Sequence, residues 1–149
     1  MKCFLGERSL QHLESILQDL TLRLVSMYDL AKLPEAVFHA FILGLLANLR
    51  NIYEIRSNPE AGYGRADILM IPRKSHNYFA YIIEFKTTDT KTDTEKTAQD
   101  AIEQIQEKEY ISAILNAGIK PDKIIKLAII LQGKKVVVEI EKFDIPCMV

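Results

Sequence analysis

The chain has 149 residues, 48% of them hydrophobic and 26% charged, enough for one continuous core without disulfide or metal staples. These proportions exclude a disordered tail, a collagen-like fibre and a coiled-coil rod. Nineteen Lys and Arg against twenty Asp and Glu leave a formal charge of −1, which excludes a protein that holds nucleic acid or an anionic membrane by bulk charge. Any nucleic-acid chemistry must then reside in a local site.

Cys3 and Cys147 lie near opposite ends, with no CxxC and no paired histidines, so neither a zinc site nor a disulfide framework is indicated and a cytoplasmic setting is expected. The most apolar stretch, 36–49, is too short to span a bilayer and is interrupted by His39 and Asn48, so it reads as a buried helix. Glu7 and Arg8 break the apolar run that a signal peptide needs.

In chain order, apolar residues at Leu10, Leu13, Leu17, Leu20, Leu24 and Met27 recur every three or four positions and predict a helix over about 7–30 with one buried stripe. Pro34 suits the first turn of a second helix, which puts Phe38, Ile42, Leu45, Leu46 and Leu49 on one face. The period then changes. Residues 52–56 and 65–71 read as strands around a turn cluster at 58–62, and 78–86 reads as a strand apolar on both faces, hence a central one. A polar loop at 87–96 precedes a long helix reaching about Leu115. Its inner side carries Ala98, Ala101, Ile102, Ile105 and Ser112, and Gly118 is its stop. Strands at 124–131 and 136–140 follow, joined as a hairpin through 132–135. The order α-α-β-β-β-α-β-β implies a mixed sheet flanked by helices.

Three polar groups interrupt this apolar pattern. Asp67 shares a strand face with Leu69 and Ile71, and Glu84 and Lys86 share one face at the end of the central strand, because side chains repeat every two residues. Buried carboxylates must pair or hold a cation. Asp67 and Glu84 supply the hard oxygens that Mg²⁺ or Mn²⁺ prefers, and Lys86 supplies an ammonium to orient water or to offset charge developing on a phosphate. The same pattern is met in solvated rim pairs, which stabilise little, so spacing alone leaves both readings open. His39, alone on an apolar helix, reads as a core histidine hydrogen-bonded in place, and His12 and His76 show no partner. Gly62 and Gly64 mark a turn rather than a phosphate cradle, because no P-loop lysine and helix follow.

The string Asp67 followed seventeen residues later by Glu84-Phe85-Lys86, on strands in this order, resembles the PD-(D/E)XK nuclease superfamily. The strings 53–58, 62–68 and 81–86 are similar to a bacterial branch in which such a domain commonly follows an AAA-ATPase-like domain. The motif's usual proline before the aspartate is Ala66 here. The resemblance covers about residues 30–140.

It implies an α/β, restriction-endonuclease-like αβββαβ core with a mixed central sheet, preceded by an extra N-terminal helix: a single domain over 1–149, with an extension at 1–32 and the core at 33–142. It further implies a metal-dependent phosphodiesterase acting on DNA and leaving a 5′-phosphate and a 3′-hydroxyl, with Mg²⁺ or Mn²⁺ held by Asp67, Glu84 and the Phe85 carbonyl. Glu35 matches the acidic residue of the first core helix, facing the metal directly or through water; an acid that complements the helix dipole reads equally well there. Gln104 matches the glutamine of the following helix, and an ordinary boundary residue is the alternative. Tyr110 also matches a family position, but its helix face argues for packing.

Residues 50–74 carry five basic and three acidic residues, 120–142 six and three, and 86–109 four and seven. Arg56, Arg65, Arg73 and Lys74 are therefore the candidates for phosphate contact. A homodimer through the leucine-rich first helix and a functional link to an AAA-ATPase-like protein complete the expectations. The rival is a nuclease-fold module that binds nucleic acid or protein without turnover.

Overall fold

The computed structural model describes residues 10, 12–24, 35–57, 60–61, 64–65, 67–73, 78–106 and 110–143. Helix α1 (Leu13–Leu24) and helix α2 (Glu35–Leu46) come first, and α2 runs into a 3-10 turn at Ala47–Leu49. The strands are β1 (Tyr53–Ser57), β2 (Glu60–Ala61), β3 (Gly64–Arg65), β4 (Ile68–Pro72) and β5 (Ala80–Thr88). Helices α3 (Thr94–Gln106) and α4 (Tyr110–Asn116), a 3-10 turn at Pro121–Lys123, and strands β6 (Ile124–Gln132) and β7 (Lys135–Lys142) are the remaining described elements. Among the described residues no helix is long and apolar enough to cross a membrane.

Five strands form one sheet in the order β1-β4-β5-β6-β7, antiparallel except for the parallel pair β5/β6. A parallel pair needs a crossover, and α3 and α4 lie between β5 and β6 in the chain. Residues of β5 are buried on both faces from Ala80 through Phe85, as its two-sided apolar pattern predicts.

The two faces carry separate cores. On one, Leu13 and Leu17 of α1 and Phe38, Ile42 and Leu46 of α2 pack over Ile68, Met70, Tyr81, Ile83, Phe85, Leu127 and Ile129. On the other, Ala98, Ala101, Ile102 and Ile105 of α3 and Tyr110 and Ile114 of α4 cover Leu69, Ile71, Ala80, Ile82, Ala128 and Ile130. Tyr110 is thus packing, as its helix face suggests. Fully burying one such aliphatic side chain contributes about 1.5–3 kcal/mol before the entropy of ordering it.

Several local signals act as written. Asp93 caps α3, its Oδ1 accepting from the amides of Glu95 (2.9 Å) and Lys96 (3.3 Å), so the helix takes in the last three residues of the expected loop. Gly118, at φ 82°, ends α4. The Gly118 amide bonds the Leu115 carbonyl and the Ile119 amide bonds that of Ile114, which is a Schellman termination. Gly133, at φ 57°, occupies the turn between Gln132 and Lys135, a backbone conformation that glycine adopts without a Cβ penalty.

Other expectations need correction. The stretch expected as a long helix is helical over Thr94–Gln106 and Tyr110–Asn116, and Ser112, expected on the inner side, is exposed while Tyr110 and Ile114 are buried. The turn cluster at 58–62 contains a strand of a small hairpin, with Glu60 opposite Arg65 and Ala61 opposite Gly64. The strand expected over 65–71 is therefore divided, because the chain leaves that hairpin before it joins the main sheet at Ile68.

The first helix packs part of its leucine stripe inside the chain. Leu10, Leu13 and Leu17 are buried in the core, while Leu24 and Met27 contribute no described side chain. Along the free edge of β7, Gln18 Nε2 donates to the Lys134 carbonyl at 2.6 Å, Gln18 Oε1 accepts from the Val136 amide at 2.8 Å, and Glu14 Oε2 accepts from the Val138 amide at 2.9 Å. These side chains satisfy an edge that would otherwise offer itself to another strand. Leu10, Leu13 and Leu17 are thus covered by the chain's own sheet, while Ile16 and Leu22 of the same helix are exposed.

Candidate active site

The site arises where two strands part. Strand β4 pairs with β5 only from Met70–Tyr81 to Ile68–Ile83, whereas β5 continues beside β6 as far as Thr88–Gln132. The last stretch of β5, from Glu84 onward, thus has a ladder partner on one edge only. Continuing the β4/β5 register by one residue sets Asp67 opposite Glu84. The Asp67 carboxylate takes over where the main-chain ladder stops, its Oδ2 accepting from the Phe85 amide at 2.7 Å. A residue's N–H and C=O leave a pleated strand from the same edge, so the Phe85 carbonyl also faces this notch.

Glu84 and Lys86 flank Phe85 on the opposite face from its ring. The Glu84 side chain is 5% exposed and Lys86 29%, with Nζ 3.2 Å from Glu84 Oε1. A carboxylate this deep is costly without cationic company, and its ammonium partner stands at the open side. The loop that follows is held in place: Asp89 Oδ1 accepts from the Lys91 amide and the Thr92 hydroxyl, each at 2.9 Å. Gln132 Nε2 donates to the carbonyls of Asp89 (2.7 Å) and Thr92 (2.8 Å). The hydrogen bonds from Thr92 and Lys91 hold the exposed Asp89 carboxyl below its ordinary value.

The other expected residues are more scattered. Glu35 is the first residue of α2, and its side chain lies outside the described set. Gln104 is on the exposed side of α3, on the helix that covers the Glu84 face of the sheet. Arg56 is opposite Leu69, on the face that carries Asp67, and its Nε is 2.8 Å from Glu54 Oε1. That hydrogen bond holds the Glu54 carboxyl below its ordinary value. Arg73 is at the far end of β4, roughly 20 Å along the chain from Asp67 at strand rise. Its Nε donates to the carbonyls of Arg50 (3.0 Å) and Tyr53 (3.1 Å), closing a turn. Arg65 is in β3 without a described side chain, and Lys74 lies outside the described residues.

One pair escaped the sequence reading. His39 does not stand alone: its Nε2 is 3.3 Å from the Ser57 Oγ at the end of β1, and its ring is 5.5 Å from that of Phe85. No local period pairs His39 with Ser57, which stands eighteen residues on in another element.

Two carboxylates at facing register positions, Asp67 and Glu84, with the Phe85 carbonyl on the same edge, are oxygen donors of the kind Mg²⁺ or Mn²⁺ takes. Among the described residues no three His, Cys, Asp or Glu side chains come together as a metal cluster, so this set is two acids and main chain rather than a closed cage.

A mixed sheet with helices on both faces and an acid-lysine notch at the end of its central strand is a restriction-endonuclease-like α/β fold. The profile of the PD-(D/E)XK nuclease superfamily matches residues 33–141, and the chain belongs to that superfamily. No curated protein matches the chain. A solved structure described as "Crystal structure of SSO0001" is similar at TM-score 0.36 and 15% identity, over 97% of this chain and 66% of that one.

Proposed function

We propose that this chain is a divalent-metal-dependent nuclease that hydrolyses phosphodiester bonds in DNA. The observation that carries the reading is the Asp67 carboxylate bound to the Phe85 amide at 2.7 Å, between Glu84 and Lys86 on the strand where pairing with β4 stops. Family membership supports the nuclease class, and the local donor set supports the metal.

Asp67, Glu84 and the Phe85 carbonyl would hold Mg²⁺ or Mn²⁺, with Glu35 of the neighbouring helix as a further acid for the set. A cation held there would supply Lewis-acid chemistry, offsetting charge on a non-bridging phosphate oxygen and making water more acidic. The chain's own groups do the rest. Lys86, pivoting from Glu84, orients the water for in-line attack and offsets the charge that develops on the phosphate. The new bond joins water oxygen to phosphorus and the P–O3′ bond breaks, leaving a 5′-phosphate and a 3′-hydroxyl. Gln104 steadies the outer shell from α3, and Arg56, on the Asp67 face, meets the neighbouring backbone phosphate. Bulk charge of −1 gives weak affinity for DNA, so the cation and a partner supply the positive charge that the chain lacks.

The test is a cleavage assay on single-stranded, double-stranded and branched DNA with Mn²⁺, beside Lys86→Ala, together with calorimetric titration of Mn²⁺ into wild type and Asp67→Ala/Glu84→Ala. Cleavage that disappears in Lys86→Ala, and Mn²⁺ heat that disappears in the double variant, are the expected results. Identical Mn²⁺ titrations of wild type and double variant, with DNA left intact by both, would overturn the reading.

A further inference from the structure

Phe85 is the hinge between two sets of residues. Its neighbours Glu84 and Lys86 point to one face of the sheet, and its amide holds Asp67. On the other face its ring meets Phe38 edge-on, with centroids 5.9 Å apart at 88°, and His39 at 5.5 Å and 39°. Phe38 is buried and His39 half-buried on α2. A phenylalanine in place of His39 would fill the same space with no polar atoms to satisfy. The imidazole instead spans from α2 to the exposed Ser57 hydroxyl at the end of β1, with Nε2 3.3 Å from Oγ. That bond fixes the rotation of the ring lying on Phe85 and joins α2, β1 and β5 at the end of the sheet where β4 stops pairing.

We propose that His39 is a positioning residue. Anchored by Ser57, its ring sets the backbone of Phe85 from behind, and through it the Asp67 hydrogen bond and the aim of Glu84 and Lys86. This rests on the nuclease reading for its effect on rate, but its effect on the Phe85 backbone is independent of it.

The experiment compares wild type with His39→Ala, His39→Phe, His39→Gln, Ser57→Ala and the His39→Ala/Ser57→Ala pair. It records Mn²⁺-dependent kcat and KM on DNA, thermal unfolding, and residue-resolved amide exchange of the metal-free chain. Misplacement of about an ångström costs on the order of tenfold to a hundredfold in rate. His39→Ala is expected to lose at least tenfold in kcat with KM within about twofold. Ser57→Ala loses less, and the pair loses no more than His39→Ala alone, because one route carries both effects. His39→Phe keeps the ring and His39→Gln the hydrogen bond, and each recovers part of the rate. Exchange at the Phe85 amide rises about tenfold in His39→Ala, while the Leu127 and Ile129 amides of β6 stay as in wild type.

Wild-type exchange at Phe85 in His39→Ala overturns the proposal. So does an acceleration shared by Phe85 and β6, which marks a general loss of stability. If the wild-type chain neither binds Mn²⁺ nor cuts DNA, the nuclease reading falls while the exchange comparison still decides the role of His39.

Discussion

Two Glu-x-cation strings run along this sheet, Glu54-Ile55-Arg56 on the edge strand β1 and Glu84-Phe85-Lys86 on the central strand β5. Both close an ion pair across the same spacing, at 2.8 Å and 3.2 Å. Their surroundings differ. Glu54 and Arg56 are 43% and 45% exposed, while Glu84 is 5% and Lys86 29% exposed. The first is a solvated pair of the kind that stabilises little. The second has a buried acid, a second carboxylate one strand away, and a notch left by the departing ladder. The same short motif therefore has a buried carboxylate on the central strand and a solvated one on the edge strand, according to where the fold sets it.

The largest expected effect separates the two strings directly. Lys86→Ala or Asp67→Asn should lower Mn²⁺-dependent cleavage by about 10²–10³, the cost of losing one charge-stabilising group, whereas Glu54→Gln should leave the rate within about twofold. Steady-state cleavage of a labelled DNA reads both, and equal losses from Lys86→Ala and Glu54→Gln would erase the distinction.

A third pair sharpens it from the other side. Lys126 is 3% exposed and is paired with Glu141, which is 44% exposed, from the facing position on β7, so here the ammonium is buried and the acid faces water. Glu141→Ala leaves that ammonium buried without its partner and should cost about 2–3 kcal/mol, while Lys126→Met, which keeps an apolar stem, should stay within about 1 kcal/mol of wild type. Urea unfolding measures both. Greater damage from Lys126→Met than from Glu141→Ala would refute this ordering.

Smaller effects belong to the exposed string. Arg56→Gln should weaken DNA binding a few-fold and reduce the salt slope by about one, with kcat unchanged. An unchanged salt slope, read by fluorescence anisotropy, would remove Arg56 from the interface. The same variant lets the Glu54 carboxyl titrate closer to its ordinary value near 4.5, since the Arg56 hydrogen bond is the main cause that lowers it. A folded-state pKa below the unfolded one contributes stability above the unfolded value and loses it as pH falls through the folded value. Wild type should therefore lose a few tenths of a kcal/mol more than Arg56→Gln on acidification below about pH 4.5, a difference that carboxyl NMR titration and acid unfolding can check.

Much of the frame was legible before folding was considered. The repeat of Leu13 and Leu17, the two-sided apolar run into Phe85, and the stop at Gly118 all follow from local geometry, which needs only helical or strand periodicity and a tolerated backbone angle. Glu84 and Lys86 could be placed on one strand face for the same reason. Arg56 and Arg73 looked equivalent as basic residues, yet one is on the Asp67 face and the other closes a turn at the far end of the strand. Ser112 continues the spacing of the α3 stripe in the sequence yet is exposed, because spacing alone does not say which side of the later turns meets the sheet.

Spacing along one chain is enough to say which residues can be buried, which strand is central, and that an acid and a lysine stand two apart at its end. Only the tertiary structure decided that β4 leaves β5 after Ile68, that Asp67 fills the vacant ladder position on Phe85, and that His39 reaches Ser57 across the back of the same strand. Those are contacts between segments far apart in sequence, set by the register of one strand against the next, and no local period encodes them.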